Sequence, residues 1–136
     1  MANALYDKGR QGFLEGSLDW DSGTIKAVLI DEALYTVDLA NHDNLDDVPA
    51  GARVGTPQTL TGKTVTAGVA DAGNITFPNV PLHDPVEAIL IYQDTGNEAT
   101  SRLIAYINSA TGLPVTPNGG DIAVEWSNDS NRIFKL

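Results

Sequence analysis

"VEAILIYQDTGNEATSRLIAYIN", Val86 to Asn108, is the stretch on which the fold turns. Two strongly apolar runs, VEAILIY and RLIAYIN, flank the polar connector QDTGNEATS, and this arrangement predicts two strands paired as a hairpin. Working outward, TIKAVLID (24–31) ends in the unbroken apolar run Ala27 to Ile30, as expected of a strand covered on both faces. ARVGTPQTL, KTVTAGVA and NITFPNV are rich in Thr and Val and broken by Gly and Pro, which suits shorter or outer strands. DIAVEW alternates Ile122, Val124 and Trp126 with Ala123 and Glu125, the period of a half-buried strand. With the closing RIFKL, roughly eight strands are expected from run lengths and turn spacing.

The stretch NSATGLPVTPNGG (108–120) raises the question of a ligand-cradling loop. Pro114 and Pro117 cannot donate ladder hydrogen bonds, and Asn118-Gly119 is a turn signal because both residues tolerate positive φ. A phosphate loop runs from a strand into a helix, whereas a strand pattern follows here, so the segment reads as a connector. Helix is scarce elsewhere. Residues 3–15 suit a short helix, with Asn3 as N-cap and Leu5, Tyr6 and Phe13 near one face. Gly9 and Gly12 weaken it by about 1 kcal/mol each. HDNLDDV (42–48) suits one helical turn before Pro49. The expectation is an all-β, single-domain protein over residues 1–136, a β-sandwich or jelly roll. Residues 1–18 form an N-terminal helix or arm, and 132–136 a terminal strand or arm.

At 136 residues the chain can bury a real core, and with no cysteine it holds no disulfide or thiolate zinc site. Eighteen acidic against eight basic side chains give a formal charge of −10. Between Glu15 and Ala52 nine carboxylates face the lone cation Lys26. A phosphate-binding surface needs the opposite sign, so nucleic acid is not an expected partner. MANALYDKGRQGFLEG lacks an apolar run of signal-peptide length, and no stretch suits a membrane span, so synthesis in a cytoplasm is expected.

No chemical motif survives inspection. Gly62-Lys63-Thr64 has the tail of a phosphate loop, but Pro57 stands where the first glycine belongs and a strand follows. DWDSG (19–23) opens like a calcium loop, yet Thr24 and Ile30 occupy the positions that need glycine and glutamate. It reads as a turn. His42, Asp43, Asp46 and Asp47 offer ligand types at close spacing, but His42 and Asp46 on one face are two ligands where a transition-metal site uses three or four. His83 stands apart, between Pro81 and Pro85. No carboxylate pair is singled out for acid–base work, so no enzyme, cofactor or metal is expected. Trp20, Tyr35, Tyr92, Tyr106 and Trp126 could line a sugar-binding face, although core packing is the more common fate of aromatics on strands.

Several long phrases, MANALYDKGRQGFLEGSLDWDSGTIKAVLID, DVPAGARV, LTGKTV, IYQDTGNEATSRLIAYI, TGLPVTPNGGDIAVEWSND and RIFKL, together span most of the chain. In overall texture they resemble small virion structural proteins of tailed bacteriophages. The resemblance implies a non-enzymatic structural protein made in the host bacterial cytoplasm and built into the virion. Within that class a small, acidic, cysteine-free β-protein is similar to a capsid decoration (cement) protein. Such a protein binds the major capsid protein on the outside of the assembled head, as a homo-oligomer with three copies around a local symmetry axis favoured. A tail or baseplate component, or a carbohydrate- or receptor-binding β-sandwich module, are the alternatives. Tyr6, Phe13, Phe134 and Leu136 are the candidate adhesive residues, because they supply apolar area near the two ends. Those ends act either as arms or as parts of the chain's own core.

With a net charge of −10 and no Lys/Arg cluster, duplex DNA is expected not to bind at physiological salt. A salt-sensitive mobility shift at micromolar protein would contradict this and point to Lys8, Arg10, Arg132 and Lys135.

Overall fold

The computed structural model describes residues 4–136, so the proposed Asn3 cap lies outside the described residues. In chain order the elements are Ala4–Leu5 (β1), Asp7–Glu15 (α1), Ile25–Ile30 (β2), Arg53–Thr59 (β3), Thr64–Thr66 (β4) and Val69–Asp71 (β5). Ile75–Phe77 (β6), Ala88–Gln93 (β7), Leu103–Ile107 (β8), Ile122–Val124 (β9) and Phe134–Lys135 (β10) follow. Short 3₁₀ turns at Glu32–Leu34, Leu45–Asp47 and Ala50–Ala52 punctuate the stretch between β2 and β3. The protein is all-β with one short helix. Two strands exceed the eight read from sequence: β1, and the division of KTVTAGVA into β4 and β5 at Ala67-Gly68, both with positive φ. That pair is a two-residue hairpin turn.

The main sheet has five strands in the order β1-β8-β7-β2-β3, all antiparallel neighbours. The expected β7–β8 hairpin is there, pairing Ile89 with Ile107 and Leu90 with Tyr106. Register shifts where Ile91 opposes Ala105 but Tyr92 opposes Leu103, which leaves Ile104 as an extra, bulged residue. Along β2, Ile25, Ala27 and Leu29 enter one apolar cluster while Val28 and Ile30 enter another on the opposite face. The run Ala27–Ile30 is thus covered on both sides, as its lack of alternation predicts.

One cover is made of two smaller sheets, β10-β5-β4 and β6-β9, which bring Ala70, Ile75, Phe77, Ile122 and Val124 onto the Leu29 face. This is a β-sandwich of unequal sheets rather than a jelly roll of two matched ones. Trp20 and Trp126 fill the seam, their indole N–H groups donated to the carbonyls of Asp71 (3.2 Å) and Gly73 (3.0 Å). The other cover is the loop-rich stretch 31–52, from which Tyr35, Leu45, Val48 and Ala52 pack on Val28, Ile30 and Leu90. The Leu45–Asp47 turn falls inside the predicted HDNLDDV turn, and Asn44 with Asp47 closes a reciprocal capping box over it. The connector 108–120 is pinned by the isolated bridges Val86–Val115 and Thr111–Glu125, with Gly119 at φ +92 in its turn.

At the N-terminus the helix is shorter than the sequence suggests. Ala4 and Leu5 pair with Tyr106 and Ala105, Tyr6 is the N-cap with extended backbone, and the helix begins at Asp7. Leu5 and Tyr6 therefore do not share a helical face with Phe13. The sheet edge at β8 offers ladder partners that outweigh helix propensity in these residues. The two glycines that weaken the helix are what let it pack: a Cβ on Gly9 would lie 2.7 Å from the Leu103 carbonyl, and one on Gly12 2.7 Å from Leu18 Cδ1. Among the described residues no helix is long and apolar enough to cross a membrane.

Gly9→Ala should gain about 1 kcal/mol in helix propensity, yet overpacking against backbone that cannot yield costs about 1–3 kcal/mol. We expect a lower urea midpoint with unchanged slope, whereas Gly51→Ala, where a Cβ meets nothing within 4 Å, should match the parent.

Candidate functional site

Both ends of the described residues, 4–136, are docked onto the fold, and this decides the fate of the four adhesive candidates. Tyr6 is fully buried; its N–H donates to the Ile104 carbonyl at 3.0 Å and its hydroxyl meets that of Tyr35 at 2.8 Å. It belongs to the core and offers no adhesive surface, a correction forced by the ladder bond and the buried hydroxyl pair. Phe13 and Phe134 are half-buried and meet with ring centroids 6.0 Å apart. Phe134 also packs edge-on against Trp20 at 5.1 Å. Leu136 keeps 54% of its surface exposed, although its N–H donates to the Gly68 carbonyl at 2.9 Å. Neither described end is a free arm.

Three of the four candidates converge in one place. Phe13, Phe134 and Leu136, with Leu18, Trp20 and Val65, line a mostly apolar groove of about 220 Å³, and Asp19 and Asp21 stand at its rim. Its floor is a cross-strand row: Phe134 pairs with Ala70 on β5, and Ala70 with Val65 on β4. Sequence reasoning missed Leu18 and Val65, and named Trp20 only for a sugar-binding face. The signal was Ala67-Gly68 inside KTVTAGVA, a turn that makes TVT an outer strand with its valine on one face.

The DWDSG turn supplies the rim. Asp19 accepts from the Ser22 hydroxyl and from the N–H groups of Ser22 and Asp21, both at 3.1 Å, and these bonds hold its carboxyl below the usual range. The stretch is a turn, as read. Lys63, of the rejected phosphate-loop tail, donates to the Gly23 carbonyl at 2.5 Å and leads into β4, not a helix.

Elsewhere the polar groups serve structure. Asp43, Asp46 and Asp47 bring ligand atoms within 4.8 Å of one another. Asp47, however, receives the Asp43 N–H at 2.8 Å and, within the capping box, the Asn44 N–H at 3.4 Å. His42 is bound to Tyr35, its Nδ1 2.8 Å from the Tyr35 hydroxyl, extending a chain from Tyr6 toward the surface. His83 lies 3.8 Å from the buried carboxylate of Asp31. The aromatics Trp20, Tyr35, Tyr92, Tyr106 and Trp126 are all buried, so the exposed platform a sugar-binding face requires is inside the core. A second, more polar cleft of about 390 Å³ gathers Arg10, Arg132 and Lys135 from the two ends. Arg10 is paired with Asp7 at 3.1 Å, and Arg132 donates to the Asn128 carbonyl at 3.0 Å. Compared with known proteins, the chain matches no family model and no curated sequence.

Several carboxylates titrate low. Asp38 is lowered by the Asn41 amide; Asp94 by the Gly96 N–H and Lys26; Glu98 by Arg53. For Asp47 desolvation pushes upward, but the N–H groups of Asp43 and Asn44 prevail and the net shift is down. A depressed folded value means stability present above the unfolded carboxylate pKa of about 4 and lost as pH falls through the folded one. The tyrosines act at the other limb. Burial raises Tyr6, Tyr35 and Tyr106, helped in Tyr106 by its bond to Glu32, and pushes Tyr92 up to about 12. Their contribution is complete below the unfolded value of about 10 and declines as pH rises beyond it. Melting midpoints should therefore be flat near neutrality and fall below about pH 4 and above about pH 10. Phenolate absorbance should rise with unfolding, not before it; titration of all four tyrosines near pH 10 in folded protein would contradict this assignment.

Proposed function

We propose that this protein is a structural component of a tailed-phage virion, a decoration protein that seats its apolar groove on the major capsid protein outside the assembled head. The observation that carries the reading is the convergence of Phe13, Phe134 and Leu136, from opposite ends of the chain, on one acid-rimmed groove. A groove of about 220 Å³ is smaller than the roughly 300–1,000 Å³ typical of small-molecule sites. It suits side chains of a protein partner. The body beneath it is a sandwich whose central strands are buried on both faces, a rigid mount for an adhesive surface. The charge of −10 keeps free copies apart until a composite surface gathers them, and copies grouped around a symmetry axis gain avidity.

The test is to mix purified protein with emptied heads of its phage and measure co-sedimentation. Leu136→Glu and Val65→Glu change residues more than half exposed, so their melting midpoints should stay near the parent's while decoration is lost. Leu82→Glu, on an exposed loop residue outside the groove, should decorate normally. Binding to tails and not heads would move the role to the tail, and equal decoration by all three variants would remove the groove from it.

A further inference from the structure

We infer that β4 is a docking edge that takes up an extended, cationic and apolar segment of another protein as a fourth strand of the small sheet. The inference rests on reading the groove as the adhesive face, and adds how the partner is held and what its chemistry is. In the order β10-β5-β4 the outer side of β4 has no strand neighbour among the described residues, and Thr64, Val65 and Thr66 are all exposed. The Ala70 carbonyl accepts from the Ile133 N–H at 3.3 Å, so the backbone groups of Ala70 face the β10 side. Val65 stands opposite Ala70, and the alternation of an antiparallel ladder turns its N–H and C=O outward, away from β5.

The side chains end at the same place. The row Phe134–Ala70–Val65 stops at the free edge, with Val65 55% exposed. A residue added beside Val65 would continue that row and enter the groove, while its neighbours would lie on the opposite, polar face with Thr64, Thr66 and Asp71. Natural edges are usually guarded. β3 is interrupted by Gly55 at φ +75 and by Pro57, but β4 contains neither glycine nor proline. Lys63, next to it, has its ammonium drawn to the Gly23 carbonyl. Charge selects the occupant. Asp19 and Asp21 at the rim call for Lys or Arg in the partner, and a net charge of −10 opposes a second copy of this chain.

The probe is an acetylated, amidated peptide, RTVTVTR, whose arginines and valines share one face as a strand. Titrated into isotope-labelled protein, it should shift amide signals of β4 and the indole signal of Trp20, and protect the Val65 amide from hydrogen exchange. The peptide ETVTVTE should do neither. Val65→Pro deletes the outward N–H without removing a bond from the fold, and should weaken binding about tenfold, as one lost strand hydrogen bond implies. Val65→Thr should bind closer to the parent. Exchange protection at Val65 in the parent protein decides the matter even if the proline variant melts early. No amide shift at millimolar peptide, shifts without protection, or a concentration-dependent dimer through β4 would each overturn the inference. Head binding by a protein that ignores the peptide would keep the decoration role and discard strand addition; peptide binding without head binding would do the reverse.

Discussion

The burial of β2, β7 and β8 on both faces is the constraint from which the rest of the structure follows. Their apolar residues occupy successive positions, and because a strand projects them alternately, the sheet has two apolar faces. Each fully buried Leu or Ile is worth about 1.5–3 kcal/mol only if both faces are sealed. The two small sheets and the tryptophan seam seal one. The stretch 31–52, nearly devoid of regular structure, seals the other. It can do so because its backbone is satisfied, locally by the Asn44/Asp47 capping box and against the sheet by bonds such as Leu103 N–H to the Asp43 carbonyl at 2.9 Å.

The acidity of that stretch acquires a structural meaning. Asp38, Asp43 and Asp47 lie where the chain turns most often, and Asp38 and Asp47 accept backbone N–H groups that helix or sheet would otherwise satisfy. The buried tyrosines extend the same economy inward. Tyr6 meets Tyr35, Tyr35 meets His42, and Tyr106 donates to Glu32 at 2.7 Å. Each carries a large apolar body into the core with its hydroxyl partnered.

The ends of the chain are used twice. Leu5 and Phe134 contribute to the core while β1 and β10 pair with internal strands, and the outer side of Phe134 remains to floor the groove. Surface that folds and surface proposed to bind are thus continuous. A docking face built this way is already ordered, which lowers the entropic cost of association. The contrast between the interrupted edge at β3 and the open edge at β4 points the same way, since an unguarded edge invites pairing unless its partner is supplied.

The sequence by itself determined what local pattern encodes. The β7–β8 hairpin, the doubly covered β2, the turns at Asp19–Gly23 and Leu45–Asp47, and the connector character of 108–120 were all legible, because periodicity, Gly/Pro placement and caps act over a few residues. That Phe13, Phe134 and Leu136 are apolar residues near the ends was legible too. Their meeting was not. Whether residues 4–6 continue a helix or add to β8 depended on an open edge roughly a hundred residues away in sequence, to which Leu5 and Tyr6 pair or bond. Tyr6 belongs to the core for that reason, and Gly9 and Gly12, weaknesses by helix propensity alone, are what let the helix rest on Leu103 and Leu18. The groove joins α1, the turn before β2, the β4–β5 hairpin and β10. Only tertiary packing brings those segments within contact, because side-chain burial is decided by neighbours in space, which no short-range pattern specifies.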